Sequence, residues 1–319
     1  MDFQLTEDQR ALVDAIQSIL TDHAELPQDQ RLGYAWHDPA VQALLADNGF
    51  LDAGRSIGPL EAALIQFETA QSLISIEAMG CGLVAPMALP ELPLAGPVAL
   101  VAERDVARAI RNLPVATTLL VDCGEDVMVL PVAAGQVEPV ASIYGYPYGR
   151  FRAPVRLADG QRLAGRGALL RQWWRTGLAV EIAGAARAAI DFTIDYVRQR
   201  QVFGRPVGAF QSVQHRLVQR HGHARAGYFL AMRAAWSGDA GDADVAAAHA
   251  LLGIKPLLFD LHQFNGGMGV TTEYALHFWT YRIRALQAEV GGLTGAALDI
   301  AARRWADADA PLPKGADDE

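Results

Sequence analysis

Two breaks in an otherwise helical sequence carry residue types that could hold a phosphate-bearing ligand. In the first, "RQVFGRPVGAFQSVQ", Arg200 ends one helical run, Phe203 and Gly204 interrupt it, and Phe210, Gln211 and Gln214 open the next. A guanidinium forks onto phosphate oxygens, an aromatic ring covers an adenine face, and a glutamine amide bonds a nucleotide edge or a phosphate. In the second, "QFNGGMGVTTEY", Gly266, Gly267 and Gly269 let the backbone approach a diphosphate closely. The same residues would also suit a helical hairpin whose Arg and Gln face water. Neither break is a GxGxxG fingerprint, and the second lies between helices instead of after a strand, which argues against a Rossmann unit.

The elements that must position these residues are mostly helical. Thr6 followed by Gln9 has the form of a capping box, with Leu12, Val13, Ile16, Ile19 and Leu20 at helical spacing behind it. The helical pattern persists to Met87, and "LEAALIQFETAQSLISIEAMGCGL" is apolar nearly all round, as a helix buried inside a bundle would be. Between Pro86 and Gly165 the texture changes to Pro, Gly and short apolar runs. "PVALVA", "TTLLVD", "VMVLPVA" and "APVRLAD" predict strands of a small, mostly antiparallel module. After Gly167 helical spacing returns until about Trp305 and predicts an antiparallel four-helix bundle. The predicted division is an N-terminal helical domain over 1–88, a reduced β domain over 89–165, a helical bundle over 166–306 and a flexible tail over 307–319.

Bulk composition narrows the function classes. With 51% hydrophobic and 20% charged residues in 319, the chain can bury a large core and is not a disordered one. A net charge of -9 argues against a nucleic-acid partner, whose phosphates would demand an excess of Lys and Arg. Cys81 and Cys123 lie too far apart in sequence to suggest a disulfide framework or a zinc site and read as small buried hydrophobes. His215, His221 and His223 have no acid or cysteine at ligand spacing and read as a polar helix face, so no metal is expected. Trp173, Trp174, Trp236, Trp279 and Trp305 read as apolar contacts within or between bundles. The acidic start "MDFQLTEDQR" is unlike a secretion signal, and no run reaches the eighteen or more apolar residues of a membrane span, so a cytoplasmic location without membrane insertion is expected.

Together, the two breaks on a helical bundle behind a β module resemble the acyl-CoA dehydrogenase family over most of the chain. "MDFQLTEDQRALV" is similar to the family's first helix, "YVRQRQVFGRPVGAFQSVQHRL" to its Arg-x-x-Phe-Gly-x-Pro and Phe-Gln-x-x-Gln segment, and "QFNGGMGVTTEYAL" to its Gly-Gly-x-Gly-x-Thr-x-Glu-Tyr turn. The resemblance implies the fold of that family: mainly α, with a small middle β domain and a C-terminal four-helix bundle. It also implies FAD shared between two subunits. Arg200, Phe203, Phe210, Gln211, Gln263, Gly266 and Gly267 match the residues that grip its ADP half from the neighbouring subunit. The implied reaction removes the α-proton of an acyl-CoA thioester to a carboxylate while hydride passes from Cβ to the flavin, with an electron-transfer flavoprotein as acceptor.

Two departures modify that expectation. The segment of the type Thr-Glu-Pro-x-x-Gly-Ser that binds the isoalloxazine is missing, and the β domain is short, with "VEPVASIYGYPYG" at best a remnant. An intact ADP grip beside an incomplete flavin pocket implies a second, full-length acyl-CoA dehydrogenase subunit in an α2β2 heterotetramer, of the kind known in bacterial steroid side-chain degradation. A homomeric enzyme with an atypical β domain, or a flavin-free scaffold, are the rival readings. Glu289 falls where many family members carry the catalytic base, although a solvated helix-end acid would occupy the same place. Other members carry the base at the position of Trp174, which closes that route. Glu181, in mid-helix, reads as a hydrogen-bonded packing residue, so the resemblance allows the working base to sit in the partner.

Overall fold

A computed structural model of the chain describes residues 3–305 apart from 31 and 95, so the tail expected over 307–319 lies outside the described residues. Helix α1 (Glu7–Asp22) starts as its capping box requires: Gln9 N–H donates to Thr6 Oγ1 at 3.2 Å and the Gln9 side chain accepts from Thr6 N–H at 3.1 Å. Helices α2 (Pro39–Asp47), α3 (Ala53–Ser56) and α4 (Pro59–Gln71) follow and bury their apolar faces with Ile16 and Leu20 of α1.

The apolar stretch expected as one buried helix is interrupted. After α4 the backbone leaves the helix at Ser72, and helical structure returns as a π-helical turn over Met79–Val84 that leads into α5 (Ala85–Ala88). Donors from elsewhere satisfy the carbonyls freed by the break. Trp279 Nε1 donates to Gln71 O at 2.9 Å, and the buried Arg282 guanidinium donates to Ser72 O and to Ile74 O. Side chains remote in sequence thus replace the helix's own hydrogen bonds.

The strands form two small sheets. In the first, β1 (Val98–Ala102) pairs in parallel with β3 (Thr118–Cys123), which pairs antiparallel with β4 (Asp126–Pro131), which pairs with β7 (Gln161–Leu163). The second is antiparallel, with β6 (Tyr148–Phe151) between β2 (Ile110–Arg111) and β5 (Val137–Val140). Alternation assigns the faces: Ala99, Val101, Leu119 and Val121 fill a core of the β region, while Val98, Leu100 and Leu120 turn to the helical core. "PVALVA", "TTLLVD" and "VMVLPVA" hold β1, β3 and β4. "APVRLAD" is instead a bend and a single 3-10 turn, its proline removing one ladder donor.

Helix α6 (Gly167–Gln199) is buried on nearly every side and runs through the centre of the molecule. It ends in a two-residue hairpin, β8 (Gln201–Val202) and β9 (Arg205–Pro206), before α7 (Gln211–Ser237) returns antiparallel and α8 (Ala240–Asn265) runs back beside α6. Asp239 caps α8 through Asp242 N–H at 2.9 Å. Helix α8 and its continuation to Val270 are long and apolar enough to cross a membrane by length and composition, contrary to the expectation that no such run exists. Half of that window is buried inside the bundle against α6 and α7, as in a core helix. A further break at Val290, Gly291 and Gly292, all with positive φ, separates α9 (Leu276–Leu286) from α10 (Gly292–Trp305). Trp173, Trp174 and Trp279 are buried as expected, but Trp236 and Trp305 are exposed.

His223 is not on a solvated polar face. Its ring stacks on that of His249 at 3.9 Å, and each Nε2–H donates to the other residue's carbonyl at 3.0 Å, joining α7 to α8. Burial, and then the neighbouring His249, lower the proton affinity of His223 below the ordinary histidine value of 6.5. The unfolded chain therefore takes this proton first, so the contribution to stability is full above about 6.5 and fades as pH falls below it. His223→Gln is expected to flatten the acid side of the Tm-against-pH curve between roughly pH 7 and 5. A variant curve parallel to the parent's would exclude the pair as the cause.

Candidate functional site

The first break is a hairpin built to display its tip. Phe203 and Gly204 form a two-residue turn with φ of 49 and 77, the sign a type I′ hairpin needs. A non-glycine residue there is strained, and Phe203 is 95% exposed, so the strain holds an aromatic ring out in solvent. Arg200 caps α6, its N–H donating to Tyr196 O and its carbonyl accepting from Val207 N–H, both at 2.8 Å. Its guanidinium has no hydrogen-bond or ion-pair partner among the described residues. Gln211 opens α7 on the surface. Phe210, the N-cap of α7, packs partly into the core with Arg205 over its ring at 4.1 Å, so it is less open to a ligand than Phe203.

The second break lies at the same end of the bundle. Helices α6 and α8 run parallel, and Asn265 Nδ2 donates to Thr193 Oγ1 at 2.9 Å, which places Gly266 beside the last turns of α6. Gly266 adopts φ 56, ψ -139, a conformation open essentially to glycine alone. A Cβ on Gly266 or Gly267 would meet no atom within 4 Å, so the backbone there is open to approach. Gln263, Gly266 and Gly267 line a groove of about 780 Å³ with Tyr144, Lys255 and Arg284. Arg200, Phe203 and Gln211 do not line it but flank the same end.

Lys255 and Arg284 were not read from the sequence. Yet Lys255 is the sole lysine before residue 314 in a chain that otherwise uses arginine, and it forms no ion pair among the described residues. That departure was the available signal.

Glu289 sits elsewhere, at the break after α9, and both its oxygens are engaged. Arg111 donates through Nε to Oε1 at 2.6 Å and through its terminal nitrogen to Oε2 at 3.0 Å, and Trp174 Nε1 donates to Oε2 at 2.9 Å. Positions 174 and 289, each a place where the resemblance could put a base, thus meet in one hydrogen bond. Burial alone would lower the Arg111 value, but the adjoining Glu289 carboxylate holds the guanidinium charged, well above its ordinary range. Arg111 also lies over the Tyr146 ring at 4.8 Å. Tyr146 O–H donates to Glu181 at 2.8 Å, and Gln66 donates to Glu181 at 3.0 Å, so Glu181 is the hydrogen-bonded packing residue its sequence context implied. Burial, then Glu181, push the Tyr146 hydroxyl well above the usual tyrosine range.

Comparison with known proteins agrees with this architecture. Residues 170–306 match the family model "Acyl-CoA dehydrogenase, C-terminal domain". Acyl-CoA dehydrogenase FadE34 of Mycobacterium tuberculosis is 34% identical over 187 residues, which cover 54% of this chain and 24% of that protein. The chain spans between about a quarter and two-fifths of the length of the curated relatives it matches. One chain of the ChsE4-ChsE5 complex from Mycobacterium tuberculosis superposes with a TM-score of 0.75 at 20% identity, covering 98% of this chain and 100% of that one. A chain of the Tcur3481-Tcur3483 steroid ACAD G363A variant superposes with a TM-score of 0.78 at 19% identity, covering 95% of this chain and 99% of that one. At these identities the superpositions establish the fold.

The residues present fit one half of FAD. The open glycine backbone, together with Lys255 and Arg200, whose charged groups have no partner among the described residues, suits an ADP diphosphate. Around Glu289, by contrast, the carboxylate is engaged by Arg111 and Trp174 of this same chain. With the motif pair in place, residues 170–306 match the C-terminal domain of the acyl-CoA dehydrogenase family, whose members are FAD-dependent flavoproteins, and the chain as a whole has the fold of such enzymes.

Proposed function

We propose that this chain is the smaller subunit of a heteromeric acyl-CoA dehydrogenase that introduces an α,β double bond into an acyl-CoA thioester. Its role is to hold the ADP half of an FAD whose ring, together with the working base, belongs to a larger partner chain in an α2β2 assembly. The observation that carries this reading is a contrast: the Arg200 and Gly266 end of the bundle has an open glycine backbone with Lys255 and Arg284 in the adjoining groove, whereas Glu289 is engaged by two donor side chains. Bound FAD supplies hydride acceptance from Cβ. Arg200 would fork onto the diphosphate, Gln211 and Gln263 would bond the nucleotide, Gly266 and Gly267 would admit it, and Phe203 would cover its base. The likeness to the ChsE4-ChsE5 complex and to a steroid ACAD favours a bulky, steroid-type acyl group. An electron-transfer flavoprotein completes the cycle.

Flavin absorbance per chain tests this. The chain purified alone is expected to be colourless, and its complex with the product of an adjacent acyl-CoA dehydrogenase reading frame to carry one FAD per heterodimer. Flavin on the isolated homomer would establish the homomeric rival instead. A colourless complex would leave the scaffold reading.

A further inference from the structure

The cluster around Glu289 is unlike a working site. A carboxylate that abstracts an α-proton needs a lone pair free at the reacting carbon, within hydrogen-bond reach. Glu289 receives three hydrogen bonds, from two nitrogens of Arg111 and from Trp174, which engage both of its oxygens, leave a single lone-pair site on Oε1 and fix the carboxylate against the guanidinium fork. Arg111 and Glu289 are 8% and 16% exposed, so the pair lies at the seam between the β region and α6. Arg111 comes from β2, Tyr146 from just before β6, Met79 from the π-helical turn and Trp174 from α6; the Arg111 terminal nitrogen also reaches Met79 Sδ at 3.5 Å. The buried charges balance: Arg111 and Arg282 face Glu289 and Glu181, with Tyr146 linking the two sides. A planar fork matched to a carboxylate is an arrangement of fixed geometry.

We infer that Arg111 seals this chain's own half of the reaction chamber, and that Glu289 is its anchor and not a base. The inference rests on the reading above, in which the reacting site belongs to the partner subunit. It adds the device by which the second site is closed: an internal ion pair fastens the β region to the bundle at the very carboxylate that the family resemblance offers as a base. The assembly then needs only one reacting centre per heterodimer, and this chain keeps its fold without a ring of its own.

The test uses the whole heteromer. Glu289→Gln is expected to leave kcat within about twofold and the pH-rate profile in place, whereas loss of a working base would cost at least 10²–10⁴-fold. Arg111→Met leaves a buried carboxylate unpaired and is expected to lower Tm by about 5–10 °C. Arg111→Met with Glu289→Met is expected to recover most of that loss, a coupling that a merely space-filling arginine would not show. Methylguanidine added to an Arg111→Gly variant is expected to raise its Tm. A Glu289→Gln complex that keeps its flavin but loses activity 10³-fold overturns the inference and leaves the heteromer standing. A colourless parent complex overturns the heteromer, and the stability cycle then decides the pair alone: additive losses would overturn the seal.

Discussion

Arg200→Ala should strip FAD from the heteromer while leaving the fold of the chain untouched. The guanidinium is exposed and makes no side-chain bond among the described residues, so its removal costs the subunit nothing that packing or pairing supplies. In the complex it would form charge-assisted bonds to the diphosphate, each about 1.5–3 kcal/mol, and losing one weakens binding by roughly tenfold to more than a hundredfold. Arg200→Lys keeps the charge but loses the fork and should fall between. Gly266→Ala acts on the same ligand by another route. At φ 56, ψ -139 a side chain costs about 1–3 kcal/mol of backbone strain, which the turn would relieve by moving its N–H groups away from the ligand. Flavin absorbance after gel filtration and a thermal melt measure the two effects separately. Unchanged flavin in Arg200→Ala would remove the ADP assignment.

Local pattern made most of this architecture legible. The capping box at Thr6, the glycine-and-proline texture of the β region and the breaks at Phe203 and Gly266 depend on residues within a few positions of one another, and the structure places each accordingly. What escaped depends on distant partners. The helix expected through residues 72–78 is broken because Arg282 and Trp279 supply donors from some two hundred positions away. Arg111 gave no signal in its own context, "ARAIRNLP", because its meaning lies in Glu289, 178 residues later. For the same reason the sequence could offer Glu289 as a base but could not show both of its oxygens engaged. Family likeness helped unevenly: it identified the hairpin residues from their own motif, and it proposed a role for Glu289 that depends on an empty neighbourhood.

Asp244→Ala is expected to be the most destabilising single change in the helical bundle, at about 3 kcal/mol or more. Asp244 is 1% exposed on α8 and accepts from Arg175 of α6 at 2.5 Å and from Arg303 of α10 at 2.9 Å. Without it Arg175, itself buried, keeps the half-exposed Asp299 as its remaining carboxylate and a long bond to Val290 O, and its Nε already lacks a partner. A buried cation without its carboxylate costs far more than the pair contributes when intact, so Asp244→Asn should fall short of the alanine loss. Asp260 is a partial contrast: of its two partners Arg216 is 38% exposed and can turn to water when the carboxylate is removed, whereas Arg220, at 19%, has less freedom to do so. The consequence for function separates the two ends of α8. Asp244 lies 19 residues before Gln263, roughly 28 Å along a helix, so flavin retention should survive in the fraction that stays folded. The turn that carries Glu289 should not survive as well, because Arg175 also donates to Val290 O at 3.4 Å and Arg303 ties α10 behind it. Hydrogen exchange in the folded variant is therefore expected to rise over 287–305 and remain unchanged over 263–270. Equal loosening at both ends would mean that the bundle unfolds as one unit and that the ligand end has no independent stability.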